Sequence, residues 1–481
     1  MQFGFLLGIL LPVSMVLLFS EGLRDLPAVS HLKVNPENVS AFLESHLSRN
    51  QLKVDGKGNI YVGFAGMRQG KKDTDVFFRR FETATNTWEE LTPVSQEDVL
   101  DRGAALWVSR QGVVHYAWLA HDEKTGKVEV RYRKSKNGGK DWSEPMSFEV
   151  GATVARYPQL AGDENNNLYL YITNAPKGAK ERLLLFCSGD AGENWQAASI
   201  SNAQAAENEI AREPQLLVGD KSRAFLVWLD TAFGGLGVVF SRTEDGGKTW
   251  SEPVPLNQDH TQILHQPLIQ RIGDNLLVSW TEKAGLESTI YWNQSSDNGR
   301  TWKGNQVLYK SGVTSITTEM WGGPDKLLVI WSDYRNKMRY GGKRDLGERL
   351  WADLYSRKGG WLTETAEAGP DLVTLKAKDE SYYNGFDAAP SGSGGYLVVY
   401  SENIMGYRRA IHGAFWNEVG GFQESFRISE PVRMVDSVWP KAQRVSEGEN
   451  AVIYNQVRAK MFQHQPKSWL GDLILSRIQI Q

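Results

Sequence analysis

Apolar residues in this chain gather in short, dense runs set apart by turn-forming residues. Eight runs share one shape: Ile60–Phe64, Val113–Trp118, Leu168–Ile172, Ala224–Trp228, Leu276–Trp280, Leu327–Trp331, Tyr396–Tyr400 and Ala451–Tyr454. A second apolar run follows each, and Gly, Asn, Asp or Ser separates the two, as in a hairpin of strands. Eight such units over roughly 430 residues give a period of about 54. Repetition at this length predicts an all-β fold of repeated four-stranded sheets. Two stretches outgrow the period, Tyr334–Leu350, which is basic, and Thr363–Asp387, which contains Tyr382 and Tyr383. Loops of that kind often carry function.

A turn motif marks the same period. It reads Ser135-Lys-Asn-Gly-Gly-Lys-Asp-Trp142, Ser188-Gly-Asp-Ala-Gly-Glu-Asn-Trp195, Thr243-Glu-Asp-Gly-Gly-Lys-Thr-Trp250 and Ser295-Ser-Asp-Asn-Gly-Arg-Thr-Trp302, with successive tryptophans 53, 55 and 52 residues apart. Trp88 and Trp361 extend the series in both directions. A short Asp or Asn side chain bonds backbone amides a few residues on, and the final Trp buries a large ring between units. Asn137, Asp190, Asp245 and Asp297 therefore read as structural positions.

These four segments closely resemble the Asp-box, or BNR repeat, of the sialidase superfamily. The resemblance implies a β-propeller of four-stranded blades with an Asp-box between the third and fourth strands of a blade. The period predicts eight blades, with six or seven as alternatives, and residues near 27–35 supplying the strand that closes the last one. Residues 26–481 are then one domain.

Composition narrows the class. Lys and Arg number 54 against 57 Asp and Glu, a net charge of −3, which argues against a nucleic-acid partner. Cys187 stands alone, so there is neither an intrachain disulfide nor a cysteine zinc site. No metal or other cofactor is expected. Asp55–Asn59 and Asp163–Asn167 have the look of calcium loops but sit in hairpin positions and lack a terminal glutamate. Phe3–Phe19 carries no charge and reads as a signal-peptide core or a retained anchor within residues 1–25. Export is the expectation, with membrane contact only through that segment if it is not cleaved.

Candidate chemistry collects where inner strands begin and second strands end, around one mouth of the central channel. The first set holds Asp101-Arg102, Arg156-Tyr157, Arg212-Glu213, His265-Gln266, Glu319, Asp387 and Lys441. The second holds Asp122, Asn174, Asp230, Glu282, Asp333, Arg335 and Glu402. Arginine recurs in register in Arg156-Tyr-Pro158 and Arg212-Glu-Pro214, just before the proline that is expected to open the inner strand. In sialidases three arginines grip the sugar carboxylate, a glutamate-activated tyrosine is the nucleophile, and an aspartate is the acid/base. The resemblance thus points to Arg102, Arg156, Arg212 and Arg335 for the carboxylate. It points to Tyr382 or Tyr383 with Glu319 as nucleophile pair, and to Asp101, Asp230 or Asp333 as acid/base. The implied function is an exported sialidase-like glycoside hydrolase whose partner is an acidic, for instance sialylated, glycan. The alternatives are a non-catalytic glycan- or protein-binding propeller, or another hydrolase or lyase on the same platform.

Overall fold

The computed structural model describes residues 27–480 apart from 43–50, 97–98, 152–153, 156–157, 176–179, 199, 201–210, 258–261, 285–286, 312–315, 324, 334–348, 363–382, 393, 405–407, 418–420, 431–434 and 459–469. The named elements are all strands. Among the described residues no helix is long and apolar enough to cross a membrane, and the N-terminal apolar run lies outside them.

The strands form antiparallel sets in chain order, each grown outward from an inner strand. The inner strands are Gln51–Val54, Leu100–Val108, Val154–Ala155 with Gln159–Gly162, Ala211–Val218, Gln262–Ile272, Ile316–Gly322, Tyr383–Ser391 and Val435–Ser446. We number the sets one to eight by these strands. Each inner strand pairs with the apolar run recognised in the sequence, which is the second strand of its set. The eighth set takes its outer strand from the other end of the chain. Ala28–Lys33 pairs with Leu470–Gln479, from Ala28 opposite Gln479 to Lys33 opposite Ile474. Val39–Phe42 then bridges this strand to the first set, so the chain ends are stitched together by backbone hydrogen bonds.

Second strands are buried almost without interruption because they are covered on both faces. Eight apolar clusters fill the seams between successive sets. Phe78 and Val76 of the first set meet Trp118 and Leu106 of the second, and Leu229 and Phe240 of the fourth meet Trp280 and Ile269 of the fifth. Ala451 and Leu475 of the eighth return to Ile60 and Phe77 of the first, which closes the circuit. A sheet with both faces apolar has to bury both, and a closed ring of sheets does so without leaving an end face.

The Asp-boxes lie between third and fourth strands. In the box of the fifth set Ser295 Oγ donates to Asp297 Oδ1 at 2.8 Å and accepts Gly299 N at 2.8 Å. Asp297 Oδ1 also accepts Thr301 N at 2.9 Å, and Oδ2 accepts Thr301 Oγ1 at 2.6 Å. The boxes at Asp190 and Asp245 repeat this bonding. In the second set the roles swap, because Asn137 Nδ2 donates to Asp141 Oδ2 at 2.7 Å. One carboxylate serves either position, which explains the Asn at the usual Asp. These bonds hold the carboxyls of Asp190, Asp245 and Asp297 below the usual range, against the opposing pull of desolvation.

Each box also leans on the preceding set. Trp142 meets Phe78 edge-on at 5.3 Å, Trp195 meets Tyr132 at 5.1 Å, Trp250 meets Tyr169 at 6.3 Å and Trp302 meets Phe240 at 5.0 Å. The box glycines allow that approach. Gly247 has φ +92°, and a Cβ there would stand 2.6 Å from Cys187 Sγ. Burial pushes the Cys187 thiol up to about 12, so the lone cysteine is an inert packing group.

Candidate functional site

Of the two prolines expected to open an inner strand, Pro158 does precede the segment Gln159–Gly162, but Pro214 does not open its strand. Pro214, Pro267 and Pro440 fall inside the strands Ala211–Val218, Gln262–Ile272 and Val435–Ser446. There the ladder slips, so that two residues of the inner strand face one of its partner. The slip lies between Arg102 and Ala105, Arg212 and Gln215, His265 and Leu268, Tyr383 and Phe386, and Val438 and Lys441. In the third set the strand is interrupted between Ala155 and Gln159. A bulge leaves one residue outside the ladder, and proline, lacking an N–H, is tolerated there. The sixth set runs through this level in regular register.

The bulge turns the backbone. Gly103, Glu213, Gly385 and Trp439, each immediately after the last regular pair or one residue beyond it, have φ of 69°, 55°, 83° and 54°. Arg102 lies opposite Leu119 and Arg212 opposite Leu229, the same register in the second and fourth sets. Both are partly exposed, and Arg212 Nε is buried with no hydrogen-bond partner among the described residues. Bulges of this kind re-aim the side chains beside them. Arg156, which has the same register in sequence, lies outside the described residues, as do Arg335 and Tyr382. Tyr383 and Asp333 are placed by backbone only, Tyr383 opposite Glu402 and Asp333 opposite Ile316.

The aspartates sit deeper than a reading of exposed strand ends suggests. Trp118, Trp228 and Trp280 stand opposite the slips, and each donates its indole N–H to a carboxylate. Trp118 Nε1 lies 3.0 Å from Asp101 Oδ1, Trp228 Nε1 2.6 Å from Asp230 Oδ2 and Trp280 Nε1 2.7 Å from Glu282 Oε1. Asp230 also accepts Ala232 N at 2.8 Å. Asp101 and Asp230 are both 0% exposed. Burial pushes Asp101 up to about 7, opposed by the Ser95 hydroxyl, the Arg131 charge and the Trp118 N–H. A carboxyl held near 7 is suited to passing a proton, while its indole bond also anchors the strand.

Glu319, opposite Ile330, occupies the face of the sixth set that turns toward the seventh, beside Trp321. Trp321 Nε1 donates across that seam to Asp387 Oδ1 at 3.2 Å. Asp387 Oδ2 accepts Ala442 N at 3.0 Å and faces Lys441 Nζ at 3.3 Å, so that these contacts link three inner strands. Asp122 belongs to an exposed hairpin turn, bonding Thr125 Oγ1 at 2.7 Å. The Trp–carboxylate bonds went unrecognised in the sequence although the spacing was visible. Trp228-Leu-Asp230 and Trp280-Thr-Glu282 are two apart, and residues two apart on a strand share a face.

Two other places are spoken for. Asp55 and Asp163 bind their own turns, Oδ1 accepting two amide N–H groups and Oδ2 the following Asn Nδ2, which leaves little for a cation. At the far end of the inner strands a cleft is lined by Trp107, Gln111 and Gly162 together with Arg110 and Glu164, which pair with each other at 2.6 Å.

The repeated sheets and their boxes define the class, an Asp-box β-propeller. Residues 60–263 match the family described as BNR repeat-like domain. No curated protein matches the chain. Among solved structures it is similar to a polysaccharide lyase, an ulvan lyase bound to -[GlcA(1-4)Rha3S]-, at 12% identity and TM-score 0.46, covering 82% of this chain and 97% of that one. It is similar to the NanB sialidase of Streptococcus pneumoniae at 10% identity and TM-score 0.39, with 94% of each chain covered. A GH93 alpha-L-arabinofuranosidase of Fusarium graminearum, in complex with arabinobiose, follows at 14% identity and TM-score 0.39, covering 63% of this chain and 92% of that one.

Proposed function

We propose that the chain is an exported, sialidase-like glycoside hydrolase that takes an acidic sugar at the bulged mouth of its propeller. One observation carries the reading. Arg102 and Arg212 occupy the same register in two sets, each beside a residue in the left-handed region where the ladder slips. Guanidinium forks are suited to a carboxylate, and an arginine aimed by a bulge is pre-organised for one. Arg156, in the same register by sequence, is the third arginine of this reading. Asp101, whose carboxyl is held near 7, is the acid/base this reading favours. Glu319 with Tyr383 is the nucleophile pair, on neighbouring sets.

The test is hydrolysis of a fluorogenic sialoside by the purified protein. Turnover that falls at least tenfold in Arg212→Lys supports the reading, about 1.4 kcal/mol of lost recognition. A second reading, a propeller that binds an acidic glycan without cleaving it, is favoured by the complete burial of Asp101 and Asp230. Binding of sialyllactose without turnover would select it.

A further inference from the structure

Among the described residues, Trp439 is the bulkiest side chain with φ in the left-handed region. At the equivalent slips Gly103 and Gly385 adopt that conformation without penalty, whereas a large L-residue is strained in it. Its surroundings hold the strain in place. Before it, Asp436 Oδ1 accepts Arg409 N at 2.9 Å and Ser437 O accepts Ser401 Oγ at 3.0 Å. After it, Ala442 N and Lys441 Nζ are tied to Asp387. Strain kept up by contacts on both sides tends to mark a used position.

The indole is not consumed by the fold. It covers Val438 and Val457 and passes beside Gly385, where a Cβ would stand 3.4 Å from its Cδ1. It is nevertheless partly exposed, and no described residue takes a hydrogen bond from it. The contrast is with Trp118, Trp228 and Trp280, which are buried and bound to carboxylates. The fourth set, which carries Arg212, slips toward the same end of its inner strand as the eighth.

We propose that Trp439 is a stacking platform for the apolar face of a pyranose ring at this mouth, with the sugar's carboxylate directed across the channel toward Arg212. The inference rests on the acidic-sugar reading and adds that the ligand is a pyranoside held by its ring as well as by its charge. An indole supplies a broad apolar surface at little entropic cost, with an N–H at its edge for a hydroxyl.

Calorimetric titration with 3′-sialyllactose and with lactose tests this in wild type, Trp439→Gly, Trp439→Tyr and Arg212→Lys, alongside melting temperatures. Glycine relieves the strain and removes the ring. Trp439→Gly is therefore expected to melt at or above wild type while binding sialyllactose at least about tenfold more weakly, and Trp439→Tyr stays within about threefold. A Trp439→Gly protein that binds like wild type overturns the platform and leaves the arginine reading standing. One that melts well below wild type makes Trp439 a packing residue and also overturns it. If Trp439→Gly loses both sugars while Arg212→Lys changes nothing, the platform stands and the acidic reading falls. Wild type binding neither sugar removes both.

Discussion

Asp-boxes and inner-strand bulges are both local devices repeated around this propeller, and they treat polar groups in opposite ways. In a box every oxygen of Asp297 has a donor, and Trp302 lies against the neighbouring sheet. At a bulge, Arg212 keeps a buried Nε without a described partner, and Glu213 and Trp439 sit in the left-handed region. Left-handed backbone does not separate them, since Ala191 and Asn298 in the boxes share it, and neither does a buried indole N–H without a described partner, which Trp302 has. What differs is the charged group, a carboxylate fully bonded in the box and a guanidinium Nε left unpartnered at the bulge.

The largest expected effect breaks the scaffold side. Gly247→Ala puts a Cβ against Cys187 and Tyr169 at φ +92°, and we expect a loss of about 2–4 kcal/mol in chemical denaturation. Sugar affinity of the folded fraction should not change. Trp302→Ala removes a partly buried ring from the seam on Phe240, with an expected loss of about 2–3 kcal/mol and, again, unaltered binding.

Asp101→Asn probes the boundary between the two regions. Its folded carboxyl is raised to about 7, so the native state holds a proton that the unfolded chain releases near 4. Wild-type stability therefore falls as pH rises from about 4 to 7 and stays reduced above that. Asparagine still accepts the Trp118 N–H but cannot ionise. Melts should show the variant more stable at pH 8, by on the order of 2 kcal/mol, and level with wild type at pH 4. The smallest effect is at Asp297, whose carboxyl is lowered by bonds within the box. Its contribution is present above the unfolded value near 4 and is lost as pH falls. Asp297→Asn should lower the melting temperature by a few degrees at pH 7 and by less at pH 3.

How much could be read beforehand follows the same division. Boxes and second strands are local in sequence, so Ser295 to Trp302 announced a turn, and Leu276 to Trp280 announced a buried strand. The strand Ala28–Lys33, joining the last set from the other end of the chain, was legible only as an arithmetical remainder of the repeat. The bulges were not legible. Pro214 read as a strand opener because a proline normally excludes a ladder position, and only the pairing on both sides reveals a slip. Asp101 and Asp230 read as exposed strand ends, since sequence does not show that Trp118 and Trp228 stand opposite the bulge and draw them inward. Tyr382, Arg156 and Arg335 lie outside the described residues.

The claim that the bulged mouth is the working end is tested most directly by Arg212→Lys, measured for sialyllactose affinity and melting temperature together. Arg212 is partly exposed and its buried Nε has no described partner, so a lysine there forfeits little in the fold, whereas a fork on a carboxylate is not replaced by an ammonium. The account predicts a melting temperature within about 1 °C of wild type and affinity reduced at least about tenfold. Unchanged affinity in a folded Arg212→Lys protein, or equal affinity of wild type for lactose and sialyllactose, would contradict it.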